Sequence, residues 1–170
     1  MMTTVRVDAP PSIEDLYREH YRSLVRLAAM LIDDVPTCEE VVQDAFVAVH
    51  RRGLGQVPAD RIPAYLRSAV LNGARSQLRK REVRRRLRPV PDPPSDPSPE
   101  QGAELSQQRR DVLEAVRALP DRQRDVVVLR YWMDLGEAEI AETLGIAPGT
   151  VKTHARRGLE SLATRLEDLR

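Results

Sequence analysis

EAEIAETLGIAPGTVKTHARRGL, residues 137 to 159, holds two helical patterns with a glycine between them and a cationic second half. Ile140, Ala141 and Leu144 form an apolar stripe at i, i+1 and i+4 on the first helix. Gly145 supplies the left-handed residue of a tight turn, and Pro148 suits the first position of the second helix, where a missing N–H costs nothing. The pattern predicts a helix-turn-helix, which lays its second helix in the DNA major groove. At about 100° per residue, that helix turns Val151, Ala155, Gly158, Leu159 and Leu162 toward its partner and Thr150, Thr153, Arg156 and Arg157 outward. Arg can bond guanine bidentately and Thr can bond a base or touch a thymine methyl, while Lys152 and His154 flank this face where phosphates would lie.

Upstream, two further helices are predicted, from about Leu105 to Leu119 and, after Pro120, from Asp121 to Met133. Before them, PVPDPPSDPSPEQG at 89 to 102 contains 6 of the 13 prolines and only one aliphatic residue, so it has no means of forming helix, strand or core. It reads as an extended acidic linker, residues 89–104, between two modules. In the N-terminal module, Ser12 and Asp15 form a capping box opening a helix with the stripe Ile13, Leu16, Tyr17, Tyr21, Leu24, Ala28 and Leu31, closed by Asp33, Asp34 and Pro36. A second box, Thr37 with Glu40, starts a helix that buries Val41, Val42, Ala45, Phe46 and Val49 and ends at Arg51, Arg52 and Gly53. A polar loop to Arg61 precedes a long helix, Ile62 to Leu87, with Tyr65, Leu66, Ala69, Val70 and Gly73 toward the core. No segment has strand chemistry. The expected fold is all-α, two small helical domains (12–88 and 105–170) on either side of the linker, after a frayed tail, 1–11.

The formal net charge of +1 conceals segregation: residues 75 to 88 carry 8 basic groups against 1 acidic, a local polyanion site in a near-neutral chain. The single cysteine, Cys38, allows no internal disulfide and no multi-Cys zinc site, and suits core packing in a reducing compartment. No run is long enough to span a bilayer and MMTTVRVDAPPS lacks an apolar signal core, so the expected location is the cytoplasm. An enzyme is not expected. His20, His50 and His154 have no metal or catalytic spacing, Glu40 and Asp44 are an i, i+4 pair typical of a solvated face, and no Gly-rich phosphate loop exists.

Four stretches, in this order, resemble the extracytoplasmic-function group of sigma-70-type transcription initiation factors: LYREHYRSLVRLA at 16–28, CEEVVQDAFVAVHRR at 38–52, YLRSAVLNGARSQLRKR at 65–81 and LPDRQRDVVVLRYWMDLGEAEIAETLGIAPGTVKTHARRGL at 119–159. The resemblance implies a first domain that binds core RNA polymerase and the minus 10 promoter element, and a second that binds the minus 35 element. It implies polymerase contacts from Glu39, Glu40, Gln43 and Asp44, with Gln43 and Asp44 facing the polymerase clamp. Contacts to minus 10 bases and phosphates fall on Asp60, Arg61, Asn72, Arg75, Arg79, Lys80, Arg84 and Arg85. Contacts to the minus 35 element fall on Thr150, Lys152, Thr153, His154, Arg156 and Arg157. It implies no cofactor and no metal; the partners are core polymerase, promoter DNA and, as in many relatives, an anti-sigma protein. Three departures from the family pattern stand out: His50 is where Trp is common, Arg67 and Ser68 replace an aromatic-Arg pair, and Gly136 replaces a capping Ser. With 4% aromatics, promoter melting must lean on base capture and charge more than on stacking. The alternative, a stand-alone helix-turn-helix regulator, explains residues 105–170 but leaves the basic long helix and the Gln43/Asp44 face without a role.

Overall fold

The computed structural model describes residues 11–87 and 103–168; most of the expected linker and tail lie outside them. The described residues form helices and turns with no strand. In order, these are α1 (Ile13–Leu31), α2 (Val35–Arg52), α3 (Ile62–Leu87), α4 (Ala103–Arg117), α5 (Asp121–Val127), α6 (Glu137–Leu144) and α7 (Pro148–Glu167). Two 3-10 turns, Leu54–Gln56 and Ala59–Arg61, bridge α2 to α3, and a π-helical turn, Val128–Trp132, prolongs α5.

α1, α2 and α3 pack on one another around Leu24, Leu27, Leu31, Val42, Val49, Leu66, Val70 and Leu71, all essentially without solvent contact. Burying side chains of this size contributes roughly 1.5–3 kcal/mol each relative to exposure. Ser12 caps α1 as expected: Asp15 N–H donates to Ser12 Oγ at 3.1 Å and Ser12 N–H to Asp15 Oδ2 at 3.3 Å. The start of α2 differs from the expected Thr37/Glu40 box. Asp34 is the N-cap and accepts from Thr37 N–H at 2.9 Å, so the helix begins at Val35 with Pro36 in its first turn. Both Asp34 and Thr37 favour caps; Asp34 wins because Pro36 is tolerated within the first turn and need not end α1. Gly53, at φ 86°, closes α2. Gly73 lets α2 and α3 approach: a Cβ there would lie 2.8 Å from Val41 Cγ1.

The α1 stripe is wider than periodicity within one module required. Leu27, Met30 and, just past the end of α1, Ile32 are also buried, and α1 packs against α4 and the π turn as well as α2 and α3. Tyr17, expected in the core, is 39% exposed and stacks on Tyr21 with ring centroids 4.5 Å apart. In the C-terminal module, α5, α6 and α7 pack around Val126, Val127, Leu129, Ile140 and Val151. The expected unbroken helix to Met133 instead changes pitch at Val128, where Met133 N–H reaches back to Val128 O at 3.1 Å.

Candidate nucleic-acid interface

The turn between α6 and α7 has the expected geometry. Gly145 adopts the left-handed conformation (φ 63°, ψ 39°), and Ile146 N–H closes the end of α6 on Ala141 O at 3.0 Å. At the other end of α6, Gly136 offers no side chain, and Glu139 Oε2 accepts the Gly136 N–H at 3.0 Å. α7 seats on α5 through Val151 and Gly158; a Cβ on Gly158 would stand 2.6 Å from Val127 Cγ2. This close approach fixes which face remains free: Thr150, Lys152, Thr153, Arg156 and Arg157 are all exposed. Leu159, expected inward, is 42% exposed, since the packing centres on Gly158 and the next residue is rotated away from it. His154 is half-buried with Nδ1 enclosed and no partner among the described residues, so it is turned further inward than a phosphate-flanking position requires. Lys152 pairs with Glu137 at 3.6 Å and Arg156 with Glu160 at 2.6 Å. Exposed pairs of this kind contribute roughly 0–1 kcal/mol, so a phosphate or base edge can replace them.

In the N-terminal module, Glu39, Glu40, Gln43 and Asp44 are exposed on α2, opposite buried Val41, Val42, Ala45 and Phe46. Their carboxylates and amide form a hydrophilic surface on a helix held rigidly from behind. Asp60 and Arg61 lie in the second 3-10 turn, both exposed. Asn72 is exposed one helical segment on, and its Oδ1 accepts from Arg75 Nη1 at 3.2 Å. Arg79, Lys80 and Arg84 line a shallow groove with Ser76 and Val83 on the C-terminal half of α3. The side chain of Arg85 lies outside the described part. Arg81, on the same half of α3, pairs with Asp33 at the α1–α2 junction.

Arg75 departs from what the sequence alone implied. Its side chain is only 15% exposed and its guanidinium bonds Asp125 of α5, whose carboxylate is wholly buried. Burial pushes the Asp125 carboxyl up from its ordinary range, and the Arg75 guanidinium offsets that only in part. Further bonds join the two modules. Arg67 Nε donates to Thr143 Oγ1 on α6 at 3.1 Å, Arg61 pairs with Glu142 at 3.4 Å, and Arg117 donates to the carbonyls of Ala29 (3.0 Å), Ile32 (3.2 Å) and Met30 (3.3 Å) at the end of α1. Arg117 thereby caps a helix C-terminus across the module boundary, where cations are favoured. Periodicity and motif spacing gave no sign of these contacts between distant segments. The one available signal was Asp125, a carboxylate directly preceding the apolar run Val126–Leu129.

Other chemistry has little support. Cys38 is buried, its Sγ faces Ile32 O at 3.7 Å and burial pushes the thiol up, the opposite of an activated nucleophile. Among the described residues no group of His, Cys, Asp and Glu is arranged to hold a metal, and no helix is long and apolar enough to cross a membrane.

A helix-turn-helix with an exposed cationic face, a basic long helix and an exposed polar α2 together mark an all-α DNA-binding protein. The family described as Sigma-70, region 4 matches residues 105–162. The chain is 32% identical over 155 residues to the RNA polymerase sigma-E factor of Streptomyces avermitilis, covering 91% of this chain and 84% of that one. It is 30% identical over 155 residues to the ECF RNA polymerase sigma factor SigM of Mycobacterium tuberculosis, covering 89% and 76%. In fold it is similar to the sigma factor RpoE from Bartonella quintana, solved with the anti-sigma factor NepR, with a TM-score of 0.68 at 23% identity over 91% of this chain and 98% of that one. The chain belongs to the extracytoplasmic-function group of sigma-70-type RNA polymerase sigma factors. It binds core RNA polymerase and directs transcription initiation at specific promoters.

Proposed function

We propose a division of labour within this sigma factor in which residues 12–88 hold core polymerase and the minus 10 element and residues 105–170 read the minus 35 element. The observation that carries the second half is α7, where Thr150, Thr153, Arg156 and Arg157 share an exposed face while Val151 and Gly158 anchor the opposite one. Arg156 and Arg157 contact base edges, and Lys152 contacts phosphate. His154, half-buried, contributes through the position of α7 more than through its own ring. Around α3, Arg61, Asn72 and Arg75 bind the minus 10 strand with Asp60 beside them, and Arg79, Lys80, Arg84 and Arg85 supply sequence-independent phosphate attraction. On α2, Glu39, Glu40, Gln43 and Asp44 meet the polymerase.

The protein acts in the cytoplasm by binding alone, without catalysis, metal or cofactor. The Bartonella quintana protein's complex supports an anti-sigma protein as a further partner here. Run-off transcription with core polymerase on genomic fragments tests the reading. Discrete start sites that depend on this protein, and that vanish in the Gln43→Ala/Asp44→Ala variant, are expected; a stand-alone regulator gives no start sites with core alone.

A further inference from the structure

Two of the cations assigned to the minus 10 strand are already occupied, and both of their partners belong to the other module. Arg61 holds Glu142 of α6, and Arg75 holds the buried Asp125 of α5. A carboxylate offers a guanidinium the same planar, charged acceptor pair that a phosphate does. We propose that in the free protein α5 and α6 stand in for nucleic acid, Asp125 and Glu142 occupying Arg75 and Arg61 so that the closed molecule is unable to hold a promoter strand. The proposal rests on the minus 10 assignment above and adds its regulation.

The two ion pairs have different roles. Arg61–Glu142 is exposed and exchanges readily with solvent anions. Arg75–Asp125 is enclosed, so a phosphate reaches Arg75 only after the modules part and the Asp125 carboxylate is rehydrated. Around this pair, the bond from Arg67 to Thr143 and the three bonds from Arg117 to the end of α1 hold the modules together. Glu139 and Glu142 both act electrostatically on Arg67, so α6 presents an acidic surface to the strand-binding side of α3. Closure and strand binding draw on the same cations and exclude one another.

Arg117 lies in neither the DNA nor the polymerase surface, so Arg117→Ala loosens closure without removing a nucleic-acid contact. Asp125→Asn keeps the size of the side chain and removes the charge that competes for Arg75. Two measurements on the full chain without polymerase decide the matter: the radius of gyration by small-angle X-ray scattering, and anisotropy titration of a fluorescein-labelled random-sequence 12-nucleotide DNA single strand. Both variants are expected to expand and to bind the strand about tenfold more tightly, since apparent affinity rises with the open fraction. Arg61→Ala added to Arg117→Ala should remove much of that gain. The proposal is overturned if the variants expand yet bind no better, or if Arg117→Ala keeps both the size and the affinity of the natural protein. Should Asp125→Asn fail to fold, Arg117→Ala decides alone. Arg61→Ala separates the two readings: weaker strand binding in every background, with no effect of opening, sinks the latch and retains the minus 10 assignment, whereas no effect of Arg61→Ala anywhere sinks both.

Discussion

Gly158 shows how one missing methyl sets the orientation of the reading helix. Its hydrogen faces Val127 Cγ2, and an added Cβ would meet that methyl at 2.6 Å and the Gln123 carbonyl oxygen at 3.4 Å. Gly158→Ala gains about 1 kcal/mol of helix propensity, and overpacking against a stiff β-branched neighbour costs about 1–3 kcal/mol. Urea unfolding should therefore show a net decrease in stability, with part recovered in Gly158→Ala/Val127→Ala; equal stability of Gly158→Ala and the natural protein would mean that α7 shifts freely on α5. On the opposite face, Arg156 and Arg157 should behave as base readers. Replacing either by Ala is expected to cost about 1–3 kcal/mol and to relax preference at one or two minus 35 base pairs, whereas Lys152→Ala should weaken all sequences alike. Selection of preferred minus 35 sequences in holoenzyme checks this, and identical preferences for all variants would remove α7 from direct readout.

α3 serves two chemistries along one helix of 26 residues. Its first half is built into the core through Ile62, Leu66, Val70, Leu71 and Ala74. Its second half extends cations toward solvent at Arg79, Lys80 and Arg84. Arg79→Ala/Lys80→Ala/Arg84→Ala should lower promoter binding by holoenzyme about equally across sequences. The slope of log affinity against log salt should flatten by roughly 0.7–0.9 for each phosphate no longer neutralised, single strand to duplex, and an unchanged slope would show these side chains to be bystanders. α2 divides around its circumference instead of along its length. Gln43 and Asp44 project from a helix whose Val42, Ala45 and Phe46 are buried, so Gln43→Ala/Asp44→Ala should keep its helical circular dichroism while losing capture by immobilised core polymerase. Full capture by that variant would place the polymerase surface elsewhere.

At the scale of the molecule, the closed arrangement conflicts with the distance between promoter elements. Positions minus 10 and minus 35 lie about 25 base pairs apart, roughly 85 Å of duplex at about 3.4 Å per pair. A compact chain of this length has a radius of gyration of about 16 Å, hence a diameter near ~40 Å. The 15 residues between Leu87 and Ala103 can reach about 50 Å at most, enough for the modules to separate. Core polymerase is then what fixes the spacing, and two weak sites gain from linkage only at a fixed spacing. The purified protein alone should give no footprint over both elements at nanomolar concentration and physiological salt; protection of both would contradict this.

What the sequence determined by itself is whatever short-range physics decides. Helical periodicity and end signals placed α3 from Ile62 to Leu87, the left-handed Gly145 between α6 and α7, and Pro148 at the start of the reading helix. The same periodicity separated Val41, Val42, Ala45, Phe46 and Val49 from the exposed Gln43 and Asp44, because burial on one side of a helix leaves its trace every three to four residues. Competing local signals were already less legible: Asp34 and Thr37 are both good caps three residues apart, and only the folded chain shows that Asp34 holds the position. Tertiary structure alone decided the fate of Arg75. In sequence it belongs to a run of cations, and nothing in that run distinguishes a guanidinium facing solvent from one facing a carboxylate 50 residues away. The extra buried breadth of α1, the carbonyl caps from Arg117 and the enclosure of Asp125 have the same origin: each arises where the two modules meet, and an interaction between distant segments leaves no periodic signature in either one.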